Sequence, residues 1–245
     1  MPLPRKDFDP TEVAIPWKIL SANKIQIVFA TPDGMKPSCD QIMLTGKKLG
    51  VWSSLLRADK NAQVAYREML LSKEFSSPMK WADIEAQNFD GLLLPGGHDK
   101  GMREFLESEL LQKAVVKYFE LQKPVGAICH GVVLAARSKV ADGKSVLFGR
   151  KTTALLASQE LLAWGLTCLW LKDYYRTYRM TVQAEVTSCL TEKIDFIAGP
   201  MPLLRDSPNN FKSGFVVQDG NYLSARWPGD AHAFGYKFLE LLSKF

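Results

Sequence analysis

Histidine is scarce in this chain of 245 residues: there are three, His98, His130 and His232. Each lies beside a turn marked by glycine or proline, and three at the loop ends of separate units suggest one shared site. Cysteine is also sparse. Cys39, Cys129, Cys168 and Cys189 are scattered without a C-x-x-C pair, which excludes a disulfide framework and a cysteine-rich zinc site, so that no metal is expected. A reduced, cytoplasmic setting fits this usage. No apolar run approaches the roughly 18 residues that span a bilayer, and no charged-then-apolar leader opens the chain, so no membrane partner is expected. The net charge of +5 comes without a long basic run and gives no argument for nucleic acid. Internal repeats and low-complexity segments are lacking as well. What remains is ordinary globular composition, 47% apolar and 23% charged, at a length that suits a single domain over residues 1–245.

The most informative stretch runs from Pro124 to Ala136. A short apolar run, Val125 to Ile128, stops at Cys129, and His130 and Gly131 lead into a segment of small and branched residues. The pattern predicts a buried strand, a tight turn and the first turns of a helix. A thiol at such a turn is pushed out of the backbone towards solvent. It also lies near a helix N-terminus, where unpaired N–H groups favour the thiolate, the reactive form of cysteine. A buried structural cysteine is the alternative reading of the same residue.

Along the chain, Asp9-Pro10 reads as a helix cap followed by proline at the first helical position. Pro16 inside that helix predicts a kink or an early end. Lys24–Ala30 reads as a strand before the Pro32-Asp33-Gly34 turn, and 35–58 as loop with short helix. Lys60–Leu71 reads as a helix, and Gly91–Leu94 as a buried strand ending in Pro95-Gly96-Gly97-His98. Leu106, Leu110, Ala114 and Tyr118 mark an amphipathic helix over Glu104–Glu120. Further strands are expected at Arg150–Leu155 and Ile194–Ile197, and helices at Ser158–Leu171 and Thr181–Leu190. A hairpin is expected around Gln218-Asp219-Gly220-Asn221, and a closing helix at Asp230–Leu242. Alternating strands and helices imply an α/β three-layer sandwich with a mostly parallel central sheet, flavodoxin-like. Loops at the carboxyl ends of its strands line the active crevice, and both Gly96–His98 and Cys129–His130 lie at such ends.

The G-G-H turn after a leucine strand, A-I-C-H-G after the next strand, and D-G-N-Y-L-S-A-R-W-P-G-D-A-H before the last helix together resemble the ThiJ/PfpI family. That family belongs to the class I glutamine-amidotransferase-like superfamily. The similarity is greatest to its branch of glyoxalase III-like enzymes and stress chaperones. The resemblance implies that Cys129 is a nucleophile, His130 its base or acid partner, and Glu12 a glutamate facing the cysteine. It implies that Glu160 orients the histidine, that the N–H groups of Gly97 and His98 form an oxyanion pocket, and that His232 is a pocket histidine. Arg103 and Asp230 are further charged residues near these motifs, read as surface salt-bridge formers, with binding of an anionic group as the alternative. The implied activity needs no cofactor and converts a 2-oxoaldehyde to a 2-hydroxy acid, or hydrolyses an amide or ester; the rival is a stress-response chaperone or redox sensor. A small carbonyl substrate and a homodimer are the implied partners. The family's first central strand precedes the glutamate segment, whereas only Met1 to Lys6 stand before Asp7 here, so that strand is short or missing. Residues 41–80 and Trp170–Met180 depart from the glyoxalase branch.

Overall fold

The computed structural model describes residues 1–244. Leu92–Leu94, Val125–Ile128 and Tyr222–Ala225 lie side by side in parallel, and Val216–Asp219 closes the edge antiparallel to the last of them. Two shorter pairs, Lys6–Phe8 with Ser38–Cys39 and Ala30–Thr31 with Met79–Lys80, are also parallel. On one side Pro10–Ala22 packs against Lys60–Leu70 and Ala231–Leu242; on the other, Gly131–Arg137 packs against Glu109–Glu120 and Val182–Ser188. Strands covered on both faces carry no polar alternation, which is why Leu92–Leu94 and Val125–Ile128 are short, wholly buried runs. This is the expected α/β fold with a mostly parallel sheet. One contiguous apolar core reaches from Leu3 to Leu241.

The first helix starts where its cap predicts. The Asp9 carboxylate accepts from the N–H groups of Thr11 (2.8 Å) and Glu12 (3.1 Å), which fixes the direction in which Glu12 leaves the backbone. Pro16 does not end this helix, which runs on to Ala22. The buried positions Val13, Ile15, Ile19 and Leu20 lie on both sides of the proline, so tertiary burial outweighs the one lost backbone bond.

Other expectations shift for identifiable reasons. The Glu104–Glu120 stripe is two helices, Arg103–Leu106 and Glu109–Glu120, because the Ser108 hydroxyl accepts from the Leu111 N–H (3.2 Å) and caps the second. Lys24–Ala30 forms a ladder only at its end. There the Leu3 N–H donates to the Ala30 carbonyl (2.8 Å) and the Ala30 N–H to the Met1 carbonyl (3.1 Å), an isolated parallel bridge between Pro2 and Ala30. Arg150–Leu155 and Ile194–Ile197 are not strands; they meet at one parallel bridge, Thr152 to Phe196, and Lys193–Asp195 is a single 3₁₀ turn. The hairpin turns at Gly220 and Asn221, with Asp219 opposite Tyr222.

Candidate functional site

Cys129 follows directly on the central strand, and its N–H donates to the Ala225 carbonyl (3.0 Å), the last rung towards the neighbouring strand. The chain then turns through a φ of +58° at Cys129 and enters the Gly131–Arg137 helix. That left-handed conformation costs a residue with a Cβ about 1–2 kcal/mol. The turn is also tight, because a Cβ on Gly131 would lie 2.0 Å from the Leu94 carbonyl oxygen.

Glu12 enters the same space from the first helix. It is 1% exposed, and its Oε2 accepts from the Gly96 N–H (2.8 Å), which ties the helix to the loop after the Leu92–Leu94 strand. A Cβ on Gly96 would lie 2.7 Å from Glu12 Oε2 and 3.0 Å from Cys129 Cβ, so glycine is what lets the three segments converge. The other carboxylate oxygen, Oε1, is buried and has no hydrogen-bond partner. Burial raises the Glu12 carboxyl well above the usual range, and the neighbouring Asp9 adds to this. Burial likewise pushes the Cys129 thiol well up, reinforced by the Glu12 carboxylate. The helix-end argument for a solvent-facing thiolate is therefore outweighed: Cys129 is 5% exposed, and a dipole worth about 0.3–1 kcal/mol meets burial and two nearby carboxyls.

His130 Nδ1 lies 3.5 Å from Cys129 Sγ. On the other side of the ring, Nε2 is 3.1 Å from the Thr177 hydroxyl, and that hydroxyl donates to the His98 carbonyl (2.5 Å). A hydroxyl has one proton to give. With it committed to His98, the Thr177 oxygen accepts from His130, so the imidazole carries its proton on Nε2 and presents the Nδ1 lone pair to the thiol. Thr177 is the partner of His130 in the place where the sequence pointed to Glu160. Glu160 borders the same cavity, but its Oε2 accepts from the Val182 N–H (2.9 Å) and its Oε1 is 3.4 Å from Arg176 Nε. Its carboxyl thus ties the Ala157–Leu171 helix to the segment before Val182 rather than to the histidine.

Both histidines at the site are buried and neutral. Burial lowers His130 to about 3 and His98 to about 4. The His98 ring stacks on Tyr175 (centroids 4.3 Å apart), with Tyr174 edge-on at 4.7 Å. A histidine whose folded pKa is depressed stabilises nothing extra at high pH. It loses stability as pH falls below its unfolded value, because the unfolded chain takes up the proton first. From 6.5 unfolded and about 4 folded, His98 alone should remove about 2 kcal/mol between pH 8 and pH 5. Denaturant unfolding of wild type and His98→Phe at both pH values checks this. The stability difference should shift by that amount in favour of the variant at pH 5, and a difference independent of pH would contradict a neutral His98.

The remaining residues singled out in the sequence fall in two places. The N–H groups of Gly97 and His98 take part in no other hydrogen bond among the described residues, and both residues line the Cys129 cavity. His232 does not line it: its Nδ1 is 3.0 Å from Asp206 Oδ1, and Asp206 also accepts from the N–H groups of His232 and Ala233, fastening the start of the closing helix. Asp230 is not at the surface but fully buried, paired with Arg226 through contacts of 2.9 and 3.0 Å. Arg103 holds the Thr177 carbonyl (3.0 Å from Nε), which puts it behind the histidine relay.

The cavity itself measures about 230 Å³. Asp9, Glu12, Gly97, His98 and Cys129 line it together with Leu155, Leu162, Leu166, Leu203, Arg205 and Trp227. A larger cavity of about 510 Å³ opens at the amino ends of the strands, and neither cysteine nor histidine lines it. Among the described residues no group of three or more His, Cys, Asp or Glu is placed to hold a metal ion, and no helix is long and apolar enough to cross a membrane.

Comparison with known proteins places this geometry in context. The model of the ThiJ/PfpI family-like group matches residues 3–200. A deglycase of Thermococcus kodakarensis is 28% identical over 163 residues, 65% of this chain and 66% of that protein. An uncharacterised protein of Schizosaccharomyces pombe is 32% identical over 121 residues, 49% of this chain and 44% of that protein. The chain thus spans between about half and two thirds of the length of these relatives. Among solved structures, glyoxalase III from Candida albicans superposes with a TM-score of 0.65 at 18% identity, covering 96% of this chain and 87% of that one. The Francisella tularensis Rapid Encystment Protein gives 0.67 at 15% identity, covering 97% and 96%. At these identities the two structures share the fold.

Proposed function

The chain belongs to the ThiJ/PfpI-like family, and from that premise we propose that it is a cysteine enzyme acting on a small carbonyl compound, converting a 2-oxoaldehyde to a 2-hydroxy acid. The observation that carries this reading is the meeting of the Glu12 carboxyl with the Cys129 thiol in a buried cavity, where burial raises both groups and the Glu12 carboxylate raises the thiol further. A carboxyl group beside a thiol suits proton movement.

In the proposed reaction, His130 Nδ1 takes the thiol proton as sulfur adds to the aldehyde carbon, and returns it to the oxygen, giving a hemithioacetal. The N–H groups of Gly97 and His98 hold that oxygen while it carries charge, a contribution of about 3 kcal/mol for a well-placed donor. The Glu12 carboxylate removes the proton from C1 and delivers it to C2 through an enediol, while the C1 hydroxyl proton passes to the C2 oxygen. The product is a thioester of the 2-hydroxy acid. Water cleaves the C–S bond, releases the acid and restores the thiol. With an ester or amide the same groups would carry out acyl transfer to water. A glyoxalase III with this fold and a deglycase related in sequence both support carbonyl chemistry. The redox-sensing alternative draws less support, since Cys129 is only 5% exposed.

The test is formation of lactate from methylglyoxal by the purified protein without added glutathione, with Cys129→Ala as the blank. Wild type should form lactate and the variant none. Equal formation by both, or none by either across a panel of 2-oxoaldehydes and esters, would remove this reading.

A further inference from the structure

The Cys129 cavity is also lined by polar groups that the proposed reaction does not use. Arg205 reaches it from the segment between Pro200 and Lys212. Its Nη2 lies 3.3–3.5 Å from the carbonyl oxygens of Leu55, Leu56 and Arg57, which anchor the guanidinium. Its Nη1 is buried and has no hydrogen-bond partner. The indole Nε1 of Trp227 is likewise buried and unpartnered, and the Arg205 guanidinium carbon lies 5.2 Å from the Trp227 ring. Both atoms are donors only, and a guanidinium does not give up its charge to escape burial. Two unpaired donors side by side, one of them cationic, call for an acceptor with negative charge.

No side chain of the cavity supplies that acceptor. Among the described residues no carboxylate lies within 4 Å of Arg205. Of the three acids that line the cavity, Asp9 caps the first helix through Oδ1 and is near enough to feel the Arg205 charge, Glu12 accepts from Gly96 through Oε2, and Glu160 accepts from Val182, but none is in hydrogen-bond contact with Arg205. Much of the remaining lining is aliphatic, with Leu155, Leu162, Leu166 and Leu203. A cavity lined by a thiol, a cationic fork and leucines reads as a template for a small amphipathic molecule.

We infer that the cavity takes a carbonyl compound that also bears a carboxylate, with the carboxylate on Arg205 Nη1 and Trp227 Nε1 and a short apolar chain along the leucines. The assignment of the reacting carbonyl to Cys129 rests on the proposed function; the carboxylate subsite does not. Arg205 and Trp227 would select substrate, and take no part in bond making.

Unreactive ligands separate the two. Hexanoate and hexanamide have the same length and differ in charge, and their binding to the wild-type protein is read by titration calorimetry. Hexanoate should bind at least about tenfold more tightly, the discrimination expected when a charged hydrogen-bonded pair forms out of bulk water. Arg205→Met should abolish the preference, and Trp227→Phe, which keeps the ring and loses the N–H, should reduce it several-fold. Thermal unfolding of each variant confirms that it is folded. Equal binding of acid and amide, no binding of hexanoate by folded wild type, or an undiminished preference in Arg205→Met would each overturn the subsite. If the preference is found but neither methylglyoxal nor a 2-oxoaldehyde carrying a terminal carboxylate is turned over, the subsite stands and the enzymatic reading falls. Turnover of methylglyoxal without any preference for hexanoate gives the reverse.

Discussion

Glu12→Gln should lower turnover of a 2-oxoaldehyde by about 10²–10⁴-fold while making the protein more stable at neutral and alkaline pH. The two effects share one cause. Glu12 is wholly buried, one of its carboxylate oxygens has no partner, and burial and Asp9 raise its pKa well above the usual range. An acid whose folded pKa is raised costs stability wherever the unfolded chain is ionised and the folded one resists ionisation. That cost is fully present above the folded pKa and fades as pH falls towards the unfolded value of about 4.5. Glutamine keeps the oxygen that accepts from Gly96, has no charge to desolvate, and cannot move a proton between carbons. The stability gain of the variant should therefore be largest at alkaline pH and shrink on acidification. Denaturant unfolding across pH, set beside turnover, reads both quantities. A variant that is less stable at every pH would mean that Glu12 is held by compensating contacts, and undiminished turnover would remove it from the chemistry. The same substitution bears on the thiol. Glu12 is the largest cause after burial of the raised Cys129 pKa, so alkylation of Cys129 by a neutral reagent should reach half its maximal rate at a lower pH in Glu12→Gln than in wild type.

Which parts of the site could be read from the sequence follows from how each is positioned. The turn at Cys129 and the start of the helix that carries Glu12 are set by local rules, an apolar run that ends at a turn and an aspartate with a proline that starts a helix, whereas the role of Glu12 facing the cysteine is what the family resemblance implies. Such rules act over a few residues and leave a pattern in the chain. The Gly96–His98 loop is legible for the same reason. Thr177 lies in a stretch without period, and what places it is non-local: the Arg103 side chain on its carbonyl, Tyr174 bonded to Asp40, and Tyr175 stacked on His98. The family resemblance implies Glu160 in this place, yet its carboxyl is taken by a backbone N–H. His232 fails likewise, since the partner that draws it away, Asp206, stands in a proline- and asparagine-rich loop. Arg205 gave no signal at all, because its importance comes only from what the fold leaves unpaired around it. The strands expected at Arg150–Leu155 and Ile194–Ile197 carry β-forming residues, but a strand exists only where a neighbour completes its ladder, and here the two segments meet at one bridge.

Thr177 carries the second large effect. Its hydroxyl is the only group within reach of His130 Nε2 among the described hydrogen bonds, and it passes its own proton to the His98 carbonyl. That chain keeps the imidazole proton on Nε2 and so leaves Nδ1 free to act on the thiol. Thr177→Val preserves the shape and removes the relay. The imidazole then loses the reason to hold its proton on Nε2, and the Nε2 N–H is left buried without an acceptor, at a cost of about 1–3 kcal/mol. Turnover should fall by about 10–100-fold, the lower part of the range for losing a positioned base, since the ring itself stays in place. A merely structural role for Thr177 would show the stability loss without the change in proton position. Nitrogen NMR of labelled imidazole therefore decides: wild type should show His130 as the Nε2–H tautomer, Thr177→Val a mixture, and Thr177→Ser a return to wild type together with restored turnover. An unaltered tautomer in Thr177→Val would mean that the surrounding backbone, not the hydroxyl, sets the histidine. The loop from Lys172 to Thr181 would then matter to the site only through the packing of Tyr174 and Tyr175.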